Sequence, residues 1–110
     1  MTTVTLAHTA ALTRLGHALS EGVRTRILLS LRGAPARPSE LAEELGVSRQ
    51  VVSNQLACLR GCGLVEADRQ GRCTWYRLAD PLLGEALDHL LQLVVTVDAD
   101  CCSPEGCTCT

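Results

Sequence analysis

Apolar residues recur along this chain at two spacings, and the change from one to the other divides it into helices and a hairpin. From Thr5 to Leu19, the positions Leu6, Ala10 or Ala11, Leu15 and Ala18 or Leu19 fall at helical intervals and predict a first helix. Ser20 is placed to cap a second, which runs to about Arg32 with Val23, Ile27, Leu28 and Leu31 on its apolar side until Gly33-Ala34-Pro35 stops it. After Arg37-Pro38, residues Ser39 to Leu45 make a short third helix, and Gly46-Val47-Ser48 is a tight turn. Ser48 can cap a fourth helix, in which Val52, Leu56 and Leu59 form the core-facing stripe. Gly61 and Gly63 predict its end, so Cys62 sits on the terminating turn.

The period then changes. Leu64 to Asp68 alternates as a strand, Arg69-Gln70-Gly71 turns, and Arg72 to Leu78 returns as a second strand. Pro81 opens a last helix, reaching about Val97, that is apolar nearly all round. In a chain of 110 residues such a helix is better explained by a subunit interface than by a monomer core. The pattern therefore predicts a mainly α fold with a small β-hairpin wing: a winged helix-turn-helix, homodimeric through its first and last helices. Residues 1–97 form the DNA-binding and dimerisation domain, and 98–110 a cysteine-rich tail.

Two short helices joined through a glycine-containing turn place the second in the major groove of DNA. On that helix Gln50, Ser53, Asn54 and Ala57 point away from the apolar stripe and include no acidic residue; such amides can pair bidentately with an adenine edge. Ser48, Arg49 and Gln55 complete the expected reading set. Arg69 and Arg72, flanking Gly71 at the wing tip, are placed to meet phosphate or a minor groove.

Charge sharpens this reading. The net charge of −2 excludes a uniformly basic binder, yet residues 47–78 carry five arginines against two acids, whereas 79–110 carry six acids and no arginine or lysine. The middle segment is the cationic one, and its expected partner is double-stranded operator DNA. One Trp, one Tyr and no Phe leave an aliphatic core. No stretch is long and apolar enough to span a bilayer, and the N-terminus lacks a basic-then-apolar signal pattern, so a cytoplasmic protein without membrane partners is expected.

Seven cysteines in such a chain point to metal or redox chemistry rather than to a disulfide framework. Cys58 and Cys62 are four apart and share one flank of the reading helix if it persists that far. Adjacent Cys101 and Cys102 cannot both bind one ion without strain. Cys107 and Cys109 read as spare tail thiols, and Cys73 as a packed wing residue. His8, His17 and His89 have no partners at ligand spacing. Ser48 and Ser53 have no His and acid pair nearby and there is no glycine-rich phosphate loop, so no enzyme is expected.

As an ordered set, these residues resemble the ArsR/SmtB family of winged-helix metal-responsive repressors. The resemblance is carried by Arg24-Thr25-Arg26-Ile27-Leu28, Glu40-Leu41-Ala42, Leu45-Gly46-Val47-Ser48, Val52-Ser53-Asn54 with Leu56 and Leu59, Gly63-Leu64-Val65, Gly71-Arg72 and Tyr76-Arg77-Leu78. Cys58-Leu59-Arg60-Gly61-Cys62-Gly63-Leu64 is similar to the cadmium/lead-sensing branch. The resemblance implies a homodimer that holds its operator when metal-free and releases it on binding metal. It also implies a three-thiolate site of Cys58 and Cys62 from one subunit and Cys102, or its neighbour Cys101, from the other. Soft thiolates favour Cd(II) or Pb(II), with As(III) also accommodated. The sequence departs from the family where Gln55 replaces a common histidine, and from that branch where four tail cysteines stand in place of one. Alternative readings are a thiol-based redox regulator switched through Cys101-Cys102 or Cys107-Cys109, and a cytosolic metal buffer.

Overall fold

A computed structural model of the chain describes residues 3–93. The tail, with Cys101, Cys102, Cys107 and Cys109, and the final residues of the expected last helix lie outside that range. The order is α1 (Leu6–Ala18), α2 (Gly22–Ser30), α3 (Pro38–Leu45), α4 (Arg49–Gly61), β1 (Val65–Gln70), β2 (Cys73–Leu78) and α5 (Pro81–Leu93).

Local chemistry accounts for most boundaries. Thr5 caps α1 by accepting the His8 amide at 3.2 Å, while His8 Nδ1 accepts the Thr5 amide at 3.1 Å. The cap of α2 is Glu21 rather than Ser20: its carboxylate accepts the Arg24 amide at 2.8 Å, and the Ser20 hydroxyl turns back onto the His17 carbonyl at 2.6 Å. Helix α2 ends at Ser30, two residues earlier than expected, and α3 starts one residue earlier because Pro38 fits the first helical position without needing an amide proton. Gly46, at φ 70°, closes α3 in the left-handed region, and Ser48 caps α4 by accepting the Val51 amide at 3.1 Å.

Helices α2, α3 and α4 enclose one aliphatic core. Ile27, Leu28, Leu41, Val52, Leu56 and Leu59 are fully buried, each contributing about 1.5–3 kcal/mol. Val65 and Leu87 join the core from the hairpin and from α5.

The wing is tighter than the sequence predicts. Antiparallel pairing runs from Val65 opposite Leu78 to Gln70 opposite Cys73, so Arg69 lies in β1 and only Gly71-Arg72 turns, with Gly71 at φ 65°. A bridge from Ala36 to Tyr76, with amide-to-carbonyl distances of 3.0 and 2.8 Å, ties β2 to the segment before α3. An isolated two-stranded hairpin is marginal in water, and this third strand-like contact anchors it.

Helices α1 and α5 line an apolar groove between Leu12, Leu15 and Leu19 on one side and Leu82, Leu90 and Leu93 on the other. Leu12 and Leu82 remain 69% and 67% exposed. Arg32 pairs with Asp88 and joins the C-terminal end of α2 to α5.

Candidate nucleic-acid interface and thiol pair

The apolar stripe of α4 fixes its rotation. With Val52, Leu56 and Leu59 inside, Arg49, Gln50, Ser53, Asn54 and Ala57 are exposed on the opposite side, next to the exposed cap Ser48. Gln50 Nε2 donates to Asn54 Oδ1 at 2.9 Å, one helical turn on, which presents the two amides as a unit. Val51, 37% exposed, adds a methyl surface that sequence reasoning overlooked; such a group suits the methyl of thymine.

Gln55 is set apart from this face. It is half-buried, and its Oε1 accepts a hydrogen bond from Arg24 Nη1 at 3.1 Å across the α2–α4 junction. Arg24 also donates from Nε to the Ala18 carbonyl at 3.1 Å and from Nη2 to the His17 carbonyl at 3.2 Å. One guanidinium thus holds the end of α1 against the reading helix. Arg26 similarly donates to the Leu45 carbonyl at 3.0 Å, satisfying the end of α3. Neither tie follows from apolar periodicity, because both arginines lie off the core stripe of α2.

At the wing tip Arg72 is exposed and Arg69 donates from Nε to the Gly71 carbonyl at 3.3 Å, folding over the turn. Arg77 is paired with Glu66 at 2.6 Å and its charge is locally balanced. Cys73 is half-buried at the other end of the hairpin turn, where its sulfur accepts from Arg37 Nη1 at 3.8 Å; Arg37 also lies over Trp75, 5.4 Å from the ring centroid.

The Cys62 amide donates to the Cys58 carbonyl at 3.1 Å, so helical geometry persists to Cys62, the C-cap of α4. Both thiols are free and half-buried. One helical turn separates them on one flank, between the core stripe and the exposed amides. Among the described residues no group of three or more His, Cys, Asp or Glu that could hold a metal ion forms, so within them Cys58 and Cys62 have no third side-chain ligand. No helix there is long and apolar enough to cross a membrane.

Fold and exposed face define a winged helix-turn-helix transcriptional regulator. Residues 21–67 match the family model described as bacterial regulatory protein, arsR family. The transcriptional regulator CmtR of Mycobacterium tuberculosis is 50% identical over 91 residues, covering 83% of this chain and 77% of that one. The chain belongs to the arsR family. The solution structure of the cadmium metal sensor CmtR from the same organism superposes with a TM-score of 0.66 at 50% identity, covering 80% of this chain and 92% of that one. The homodimeric winged helix-turn-helix domain of Mb0332 from Mycobacterium bovis superposes with a TM-score of 0.72 at 30% identity, covering 86% and 90%. These relatives are regulators of transcription, not enzymes.

Proposed function

We propose that this regulator represses transcription as a homodimer, holding operator DNA in the metal-free state and releasing it when a soft thiophilic ion binds. The observation that carries the reading is the position of Cys58 and Cys62: Cys58 lies within the helix that carries Gln50, Ser53 and Asn54, and Cys62 is its C-cap. The donor set fits a soft ion, and the cadmium sensor CmtR supports the class. Cys58 and Cys62 would hold it, with a thiol of the partner's tail, Cys102 or Cys101, completing three sulfurs. Bound there, Cd(II) or Pb(II), with As(III) as a further inducer, would supply a centre of positive charge that thiolates satisfy better than water does.

The chain's own residues account for the rest. Arg49, Ser53 and Asn54 meet the groove, Ser48 and Gln55 flank them, and Arg69 and Arg72 approach the backbone from the wing. The apolar sides of α1 and α5 cover each other across the dimer, which gives residues 1–97 their joint DNA-binding and dimerising role and leaves 98–110 as the inducer-responsive tail. Any constraint on Cys58 and Cys62 acts on the reading helix directly. Ligation and operator binding thereby oppose each other in a cytoplasmic switch.

Fluorescence anisotropy of the full chain on a labelled fragment of its own promoter, titrated with Cd(II), tests this. Release in the wild type and retention in Cys58→Ser and Cys62→Ser are expected. Release that is equal in all three would overturn the assignment.

A further inference from the structure

Resting on the metal-released repressor just proposed, we infer that Arg24 is a positioning residue. By holding Gln55 it ties the thiol-bearing flank of α4 to the dimer-forming helix α1, and so carries the effect of ligation from one to the other.

Helix α1 meets its own protomer at one end. Of its 13 residues Ala18 alone is buried, while Leu12 stands 69% exposed on the groove assigned to the dimer. Side chains of α2 take hold at that buried end. Arg24 donates from Nε and Nη2 to the Ala18 and His17 carbonyls at 3.1 and 3.2 Å, and the Thr25 hydroxyl donates to the Leu19 carbonyl at 3.0 Å.

The remaining arm of the same guanidinium reaches α4, where Nη1 donates to Gln55 Oε1 at 3.1 Å. Its donors form a fixed fork, so a shift of Gln55 either turns the guanidinium against its partners in α1 or breaks the bond.

Gln55 is also the residue beside the thiols. Cys58 and Cys62 follow it three and seven residues later, which places all three on one flank of α4, and all three are half-buried. A pull on Cys58 and Cys62 toward a thiol of the partner's tail is thus applied on the side where Arg24 holds the helix. With the bond in place, the pull reaches α1 and the subunit pairing that α1 forms. Without it, the flank yields locally and the operator-binding arrangement of the dimer persists.

The readout is the release factor, the ratio of operator affinity without and with saturating Cd(II), measured by anisotropy of the full chain on a fragment of its own promoter. Arg24→Met and Gln55→Leu should each shrink that factor by more than about threefold, and the double variant no further than either, because all of them remove one bond. Gln55→Glu, which keeps an acceptor oxygen for Arg24, should retain the wild-type factor. The ultraviolet thiolate-to-cadmium absorption should persist throughout, and thermal melts show which variants are folded. A role in stability alone would lower the melting temperature and leave the factor unmoved. One measurement needs no variant: in the wild type the Arg24 Nε–H resonance should shift when Cd(II) binds, whereas that of Arg77, paired with Glu66 in the wing, should not.

A factor within about threefold of the wild type in folded Arg24→Met or Gln55→Leu would overturn the inference while leaving the metal-released repressor intact. So would additive losses in the double variant, a lost factor in Gln55→Glu, or an Arg24 resonance unmoved by Cd(II). Loss of the cadmium absorption in folded Gln55→Leu would also overturn it, because the damage would then lie in the thiol site itself. A wild-type chain that binds its operator equally with and without Cd(II) loses the repressor reading, and this inference falls with it.

Discussion

The Cys62 amide donates to the Cys58 carbonyl at 3.1 Å, so the backbones that carry the two thiols are held one turn apart at the end of the helix that carries Gln50 and Asn54. Replacing either with serine removes a soft donor but no core atom. Both variants should lose the ultraviolet thiolate-to-cadmium absorption, with metal-free operator affinity within about threefold of wild type because neither thiol lies on the exposed amide face. Undiminished absorption in both would remove these two residues from the site.

Competition for one helix has a thermodynamic corollary. A coupling of about 1–3 kcal/mol changes operator affinity about 5–150-fold on metal binding, and linkage requires DNA to weaken metal affinity by the same factor. Competition titrations with a chromophoric cadmium chelator, with and without operator present, measure it. Equal affinities in the two titrations would mean that the site and the reading face are uncoupled.

Arg72 is exposed at the wing tip, and Arg69 lies beside it over the Gly71 carbonyl. Replacing Arg72 with alanine should weaken binding uniformly across operator sequences and lower the slope of log affinity against log salt by about one. Arg77→Ala should change that slope little, because Glu66 already balances its charge at 2.6 Å. A salt slope unaffected by Arg72→Ala would take the wing off the phosphate backbone.

Glu21 supplies a pH dependence. The Arg24 amide, donating to its carboxylate at 2.8 Å, holds Glu21 below the ordinary value of 4.5. A carboxyl lowered in the folded state stabilises the fold above its unfolded pKa, and that contribution fades as pH falls through the folded value. Glu21→Ala should cost about 1 kcal/mol near neutrality, and the difference from wild type should shrink in acid. Urea unfolding at about pH 7 and about pH 3 checks the sign.

Leu12 and Leu82 leave most of their surface open on the groove between α1 and α5. Leu12→Glu should shift the chain from dimer to monomer in sedimentation equilibrium and weaken operator binding in parallel. A dimer of unchanged strength would place the subunit interface elsewhere.

Helix faces were legible in the sequence because burial imposes a period. Val52, Leu56 and Leu59 are inside and Gln50, Ser53 and Asn54 outside, as spacing alone predicts. Ser48 was legible as a cap for a local reason, its hydroxyl needing only the Val51 amide. Ser20 was misleading because two oxygen-bearing side chains stood next to each other at the start of α2, and only three-dimensional contacts decide which turns inward. The wing's tip shifted by two residues because Arg69 and Gln70 pair across the hairpin despite their polarity. Arg24 was visible only as part of a family motif, without a role, since its bonds to His17, Ala18 and Gln55 join three helices and leave no local periodicity.

The bridge between Ala36 and Tyr76 has a mechanical meaning. It fastens the hairpin to the entrance of α3, so the wing is held by the body of the fold as well as by its own two strands. Pulling the wing away from the body of the fold therefore means breaking two backbone hydrogen bonds, of 3.0 and 2.8 Å, in addition to bending the hairpin.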